Sequence, residues 1–188
     1  MTNKDLANLI FPNITKTIED YEKMYPERNL PEGAMVTRFA PSPTGFLHTG
    51  SLFTSLVSSY YAKQSNGVFY IRLEDTDTKR EVKGSDVDLL NQLAAFGVVF
   101  DEGFCGEGNP EKGIYGPYRQ SDREKLYRIV IKEMMKMGRI YPCFCTPEEL
   151  EEIRAKQEAA KIRPGYYGIW AKYRTLPIDE AAEKIKNG

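Results

Sequence analysis

Residues 35–77 constrain the fold more than any other stretch of the chain. "MVTRFAP" predicts a short buried strand that Pro41 and Pro43 bring to an end. A loop, "SPTGFLHTG", then precedes a helix-like segment, "SLFTSLVSSYYAKQSNG", and a second strand, "VFYIRLEDTD", which ends in acidic residues. A strand, helix and strand within about 40 residues are typical of a right-handed βαβ unit. The sequence therefore predicts an α/β protein with a parallel sheet.

Further helices follow this unit. "GSDVDLLNQLAAFG" predicts a helix with Ser85 as its N-cap, and "VVFDEG" predicts a short strand. "SDREKLYRIVIKEMMKMG" begins with the pattern of a capping box, Ser121 and Glu124. A second such pattern, Thr146 and Glu149, opens "TPEELEEIRAKQEAAKI". The last segment, "LPIDEAAEKIKNG", begins a helix for which we expect no packing partner, so we interpret the end of the sequence as an interruption.

Composition excludes several functional classes. The chain has 188 residues, of which 41% are hydrophobic and 28% charged, as in a soluble globular protein. Its formal net charge of −1 argues against a surface that binds nucleic acid by charge alone. No apolar run approaches the ~20 residues that span a bilayer, and the N-terminus does not resemble a secretory signal. Three cysteines, an odd number, favour a reducing cytoplasm over a disulfide framework.

The loop before the first helix resembles a phosphate-binding loop in part. Gly45 and Gly50 are five residues apart, but Ser51 stands where a Walker loop has lysine, and the pattern G-x-G-x-x-G is absent. The start of a helix still offers free N–H groups and a favourable dipole to an anion. His48, the only histidine, lies beside that position, where it could stabilise charge developing on a phosphate. The simpler alternative is a helix cap with an incidental surface histidine.

"RFAPSPTGFLHTGS" followed by "RLEDTD" resembles the class I glutamyl-tRNA synthetases. "HTGS" is similar to their "HIGH" signature, with Ser51 in place of the second histidine. The resemblance continues through "FDEG", "GPYRQSDR", "YPCFCTPEEL" and "PGYYG", over roughly residues 35–170. It implies the first half of a Rossmann-type domain that activates glutamate with ATP and Mg²⁺ and passes it to tRNA(Glu). By resemblance, ATP binds at Thr44, Gly45, His48 and Gly50, and catalysis involves His48, Gly50 and Ser51.

The resemblance also predicts an amino-acid pocket. The guanidinium group of Arg38 suits the side-chain carboxylate of glutamate, because its donors form a planar fork. Glu74, at the end of the second strand, suits the α-ammonium group, and Ala40 and Ser42 are carried into the same pocket. The alternative for Arg38 and Glu74 is an ordinary ion pair at the end of a sheet.

Charged residues follow Glu74 directly. Asp75 and Asp77 could hold a metal or act as acid and base, but we interpret them as residues that order the following loop. Lys79 and Arg80 stand where the family has basic residues near the acceptor end of tRNA. A solvated run of charges is the alternative for these two.

Cys143 and Cys145 resemble the C-x-C that starts a zinc site in some family members. A structural zinc site needs four ligands, and "YYGIW" supplies neither cysteine nor histidine. We therefore expect no bound zinc.

The predicted organisation is an N-terminal extension (1–34), the first Rossmann half (35–139) and the start of an acceptor-binding insertion (140–188). No "KMSKS"-like sequence is present, so we expect a fragment, inactive alone, of a monomeric cytoplasmic enzyme without membrane contact. Two alternatives stay open. One is a short paralogue that glutamylates a modified tRNA base, and the other is a non-catalytic nucleotide- or RNA-binding module of the same fold.

Overall fold

A computed structural model describes residues 1–45 and 47–187. The helices and strands, in chain order, are α1 (Asn3–Ile10), α2 (Ile18–Met24), β1 (Val36–Phe39), α3 (Thr49–Gln64), β2 (Val68–Ile71), α4 (Ser85–Ala95), β3 (Glu102–Gly103), α5 (Glu124–Lys136), α6 (Pro147–Ala159) and α7 (Ile178–Asn187). The chain divides into two compact units, one of Met1–Ile18 with Arg128–Gly188 and the other of Glu19–Tyr127. We call them the terminal unit and the sheet unit. None of the helices in the described residues is long and apolar enough to span a bilayer.

The sheet unit contains a parallel sheet with the strand order β1, β2, β3. This arrangement confirms the predicted parallel βαβ unit, with α3 as the connection between β1 and β2. Alternate residues face opposite sides of a strand, and one face of this sheet is apolar. That face forms a core with α3 and α4 whose buried members are Phe39, Ala62, Phe69, Ile71, Leu89, Leu93 and Val98.

The other face of the sheet is mixed, with Val36 and Val68 beside two polar residues. Arg38 of β1 lies opposite Tyr70 of β2 in the strand register. Arg72, two residues after Tyr70, continues the same side of the chain beyond the end of β2. The polar side chains that follow β1 and β2 therefore meet at the carboxyl edge of the sheet, where open α/β sheets bind ligands.

Two predicted helix starts are wrong. Gly84, and not Ser85, is the N-cap of α4, and its φ of 82° is a conformation that glycine adopts without a steric penalty. Ser121 forms no capping box with Glu124, because its N–H and hydroxyl donate to Asp75 instead. A short 3₁₀ turn, Ser121–Arg123, consequently precedes α5.

The terminal unit contains both ends of the chain. The predicted capping box of Thr146 and Glu149 at the start of α6 is confirmed. The expectation that the last helix has no packing partner is wrong, because α7 packs against α1. The buried residues of this second core are Leu6, Ala7, Met135, Ala181 and Ala182.

Candidate active site

The carboxylate of Glu74 lies between two arginines at the carboxyl edge of the sheet. Its Oε1 accepts hydrogen bonds from Nη1 of Arg38 and from Nη2 of Arg72, each at 3.0 Å. Arg38 is the more exposed cation, with 38% of its side-chain surface accessible, compared with 18% for Arg72. The two charged residues among the four predicted for the amino-acid pocket, Arg38 and Glu74, are therefore in direct contact, and a second arginine joins them.

The loop after β1 is fixed to the segment after β2 by backbone hydrogen bonds. The N–H of Glu74 donates to the carbonyl of Pro41 at 2.8 Å, and the N–H of Val82 donates to the carbonyl of Pro43 at 2.9 Å. Between these prolines, Ser42 is exposed. The bonds bring the start of the loop beside Glu74 and hold it there without a bound ligand.

The remaining predicted loop residues lie on the path to α3. Ala40 is half-buried, while Thr44 is exposed. Gly45 has a φ of 131°, which strains any residue with a side chain. Phe46, the next residue of the predicted loop, lies outside the described residues.

His48 caps α3 and folds its ring over the first turn of the helix. Its Nδ1 accepts a hydrogen bond from the N–H of Ser51 at 3.3 Å, and its Nε2 lies 3.0 Å from the hydroxyl of Ser51. An Nδ1 that accepts carries no proton, so the neutral ring has its proton on Nε2. A Cβ at Gly50 would lie 3.2 Å from Nδ1, so glycine at this position leaves room for the ring. The ring is exposed at a helix N-terminus, and its Nε2–H faces the hydroxyl of Ser51.

The acidic residues after Glu74 are engaged by protein groups. Asp75 is buried and accepts from the N–H and the hydroxyl of Ser121, at 2.9 and 2.7 Å. Nη1 of Arg119 lies 3.4 Å from the same carboxylate. Asp77 pairs with Nε of Arg80 at 2.6 Å. Asp77 therefore pairs within the following loop, as interpreted, whereas Asp75 binds the segment that precedes α5.

The predicted tRNA contacts, Lys79 and Arg80, are exposed. Arg80 pairs with Asp77 and leaves 71% of its side chain accessible. In the described part of the chain, we find no hydrogen bond or ion pair that joins either residue to Arg38 or Glu74. Their predicted role therefore stays a prediction.

Arg72 is the residue of this site that sequence reasoning missed. Its position was a usable signal, because a residue two places before Glu74 on an extended segment lies on the same side of the chain. The hydrogen-bond partner of Arg72 could not be predicted from the sequence. Whether its guanidinium faces solvent or Glu74 depends on how the side chain packs in the folded protein.

The three cysteines, Cys105, Cys143 and Cys145, are free thiols. The thiol of Cys145 lies 3.5 Å from the hydroxyl of Tyr166. Burial would raise the pKa of Cys143, but hydrogen bonds from Tyr166 and from the backbone of Cys145 outweigh it, so that this pKa is lowered. Within residues 1–45 and 47–187, no three His, Cys, Asp or Glu side chains cluster as metal ligands would. The absence of zinc stays a prediction.

Comparison with known proteins assigns the family. The model for the catalytic domain of class I tRNA synthetases (E and Q) matches residues 34–184. This chain belongs to that family. The predicted α/β fold with a parallel sheet is the one expected for a class I synthetase catalytic domain, and the resemblance seen in the sequence motifs is confirmed.

Curated relatives of this synthetase chain are named glutamate–tRNA ligases. The one from Clostridium perfringens (strain 13) is 54% identical over 188 residues, which are 100% of this chain and 34% of that protein. The one from Clostridium beijerinckii is 50% identical over the same 188 residues and the same shares of both chains. The synthetase chain thus spans about a third of the length of these relatives.

Solved structures agree with this assignment. The chain is similar to a glutamate tRNA ligase from Elizabethkingia meningosepticum in complex with its amino acid, with 37% identity and a TM-score of 0.69. That match covers 81% of this chain and 30% of the other. Glutamate-tRNA synthetase from Elizabethkingia anophelis matches with 37% identity, a TM-score of 0.70, and 82% and 31% of the two chains.

Proposed function

We propose that this chain supplies part of the catalytic domain of a glutamate–tRNA ligase. In the first step an oxygen of the α-carboxylate of glutamate bonds to the α-phosphorus of ATP. The bond between that phosphorus and the oxygen that bridges it to the β-phosphate breaks, and pyrophosphate leaves. In the second step a hydroxyl oxygen of the terminal ribose of tRNA(Glu) bonds to the activated carbonyl carbon, the bond from that carbon to the phosphate oxygen breaks, and AMP leaves. The observation that carries the proposal is the contact of Arg38 with Glu74 at the carboxyl edge of the sheet.

The pocket offers complementary groups to each end of glutamate. The Arg38 guanidinium can bind the side-chain carboxylate bidentately, and Glu74 can accept from the α-ammonium group. Ala40 and Ser42 flank Pro41, whose carbonyl accepts from the N–H of Glu74, and we assign both to the same pocket. Because Arg38 and Glu74 hold each other in the free protein, both side chains are kept near their working positions before the substrate arrives.

ATP would bind along the loop and the start of α3. The N–H groups of the first helical turn have no acceptors within the helix, and the dipole there favours a phosphate. Thr44 is exposed and Gly45 has open space where a side chain would lie, while Gly50 leaves room for the His48 ring. His48 can donate from Nε2 to a phosphate oxygen when that oxygen replaces the Ser51 hydroxyl as its partner, and the bond from the N–H of Ser51 to Nδ1 keeps the ring oriented. Magnesium accompanies ATP as part of the substrate.

The tRNA contacts belong to the same proposal. Lys79 and Arg80 are exposed cations that follow Glu74 in the chain. We propose that they bind phosphates of the acceptor end of the tRNA. We assign residues from about 140 onward to the family's acceptor-binding insertion. We further propose that the ligase acts as a monomer in the cytoplasm, where the free thiols stay reduced.

The test uses the longer protein that we propose to carry this chain, called the ligase below. Glutamate should support exchange of labelled pyrophosphate into ATP, and other amino acids should not. Transfer should then fail with tRNA whose terminal ribose has been oxidised by periodate. Exchange without glutamate specificity would contradict the proposal, and transfer to periodate-treated tRNA would favour a paralogue that modifies a base.

A further inference from the structure

We infer that Arg72 is a positioning residue that holds Glu74 in place while Arg38 binds the side-chain carboxylate of the substrate. The inference rests on the proposed function and assigns a role to a residue outside the predicted pocket. It explains why one carboxylate oxygen has two cationic partners in the free protein. Arg38 is the partner that is released to the substrate, and Arg72 is the partner that remains.

The surroundings of the two arginines differ in the way this inference requires. Arg38 is the more exposed of the two, so it can turn toward a ligand without losing buried contacts. Arg72 is largely buried and lines a cavity of about 250 Å³ together with five tyrosines, Tyr21, Tyr25, Tyr70, Tyr115 and Tyr118. The backbone N–H of Arg72 also donates to the carbonyl of Phe39 at 3.1 Å. The backbone of Arg72 is therefore fixed to the end of β1, and its side chain is less open to solvent than that of Arg38.

Substrate binding breaks one of the two hydrogen bonds to Glu74. When Arg38 turns to the incoming carboxylate, Glu74 loses a charged donor, and a half-buried carboxylate without a partner is unfavourable. The bond from Arg72 at 3.0 Å keeps Glu74 paired and oriented. The carboxylate is then ready to accept from the α-ammonium group rather than free to rotate into solvent.

A substrate analogue separates this role from a merely structural one. Glutarate has both carboxylates of glutamate but lacks the ammonium group, so it needs Arg38 and gains nothing from an oriented Glu74. In the ligase, Arg72→Gln should raise the KM for glutamate about tenfold, the size of one lost charge-assisted hydrogen bond, with a smaller change in kcat. The inhibition constant of glutarate should change by less than about threefold, well under that tenfold effect.

Three further variants complete the test. Arg72→Lys keeps the positive charge but lacks the planar guanidinium, so its KM for glutamate should lie between those of the unaltered ligase and Arg72→Gln. This variant also keeps the inference testable if Arg72→Gln folds poorly. In a Glu74→Gln background, Arg72→Gln should add no further change in KM, because the group that it positions is already gone. Lys83→Gln removes an exposed cation from the loop after Glu74 and serves as the matched control with unchanged KM.

The outcomes distinguish the two proposals. If Arg72→Gln weakens glutamate and glutarate equally, or adds fully to Glu74→Gln, Arg72 is structural and the inference is overturned. If the unaltered ligase shows no glutamate-dependent exchange, the proposed function fails and the inference fails with it. A preference for glutamate over glutarate that Arg72→Gln abolishes supports both.

Discussion

Replacing Glu102 by glutamine should destabilise the sheet unit, because this carboxylate joins three separate segments. It accepts two hydrogen bonds from the guanidinium of Arg28, one of them at 2.8 Å, and one from the hydroxyl of Tyr118 at 2.6 Å. The carbon Cζ of Arg28 also lies 3.7 Å from the centre of the Tyr115 ring. The contacts tie the segment before β1 to β3 and to the segment that carries Ser121.

The magnitude follows from the burial of this ion pair. Exposed pairs contribute about 0–1 kcal/mol, whereas breaking a fully buried pair costs about 3–5 kcal/mol. The side chains of Arg28 and Glu102 are 18% and 13% exposed, which places the pair between these limits. We expect Glu102→Gln to lower the free energy of unfolding by about 2 kcal/mol. At a urea dependence of about 2 kcal/mol per molar, the midpoint would fall by about 1 M.

The effect should depend on pH. Burial opposes ionisation of Glu102, but the hydrogen bonds from Arg28 and Tyr118 outweigh burial and hold its pKa below the ordinary value. A depressed pKa means that the stabilisation is fully present above the unfolded value of about 4.3 and is lost as pH falls through the folded value. The difference between the two proteins should therefore shrink below about pH 4.

Urea unfolding followed by circular dichroism, with hydrogen exchange of peptides from β2 and β3, measures this effect. Glu107→Gln removes an exposed carboxylate of the same unit and is the matched control, with an expected change below about 0.5 kcal/mol. Arg28→Met combined with Glu102→Gln completes a double-mutant cycle. Equal midpoints for Glu102→Gln and the control, or a difference that grows as pH falls, would refute the reasoning.

Three further predictions concern the loop and the thiols. In the ligase, His48→Ala should lower the rate of adenylate formation about 10²–10³-fold with little change in ATP binding, because a donor to developing charge is lost. Equal losses in rate and binding would make His48 a ground-state contact. Gly50→Ala should lower the same rate about tenfold, since its Cβ would displace the His48 ring by a few tenths of an ångström. An unchanged rate would mean that the ring position is unimportant. Elemental analysis of protein purified without chelator should find far less than one zinc per chain. A full equivalent that Cys143→Ser removes would contradict this.

The sequence predicts the βαβ unit and its loop well, because both depend on local patterns. β2, VFYI, is a short run of β-branched and aromatic residues, β1, VTRF, has three such residues of its four, and prolines and glycines mark the loop that follows β1. The contact of Arg38 with Glu74 was also predictable, since parallel strands bring their carboxyl ends to one edge of the sheet.

What could not be predicted depends on contacts between distant residues. Ser121 has the local pattern of a capping box, but Asp75, 46 positions earlier, takes its N–H and hydroxyl. The packing of α7 on α1 joins opposite ends of the chain, which no local pattern indicates. The sequence also does not show that Arg72 is largely buried beside a cavity lined by tyrosines from distant segments. In each case the deciding partner is remote in sequence.

The most direct test of the central claim is the amino-acid preference of the Arg38→Gln ligase. A guanidinium that faces a neutral amide keeps its desolvation cost and loses its ionic partner, so Arg38 should favour glutamate over glutamine ten- to several-hundred-fold. Pyrophosphate exchange at fixed ATP should show a steep loss of activation for glutamate and a much smaller loss for glutamine. Lysine at position 38 should restore only part of the preference, because it lacks the planar fork. An unchanged ratio of glutamate to glutamine activation would mean that Arg38 does not recognise the side chain and serves only as the ion-pair partner of Glu74.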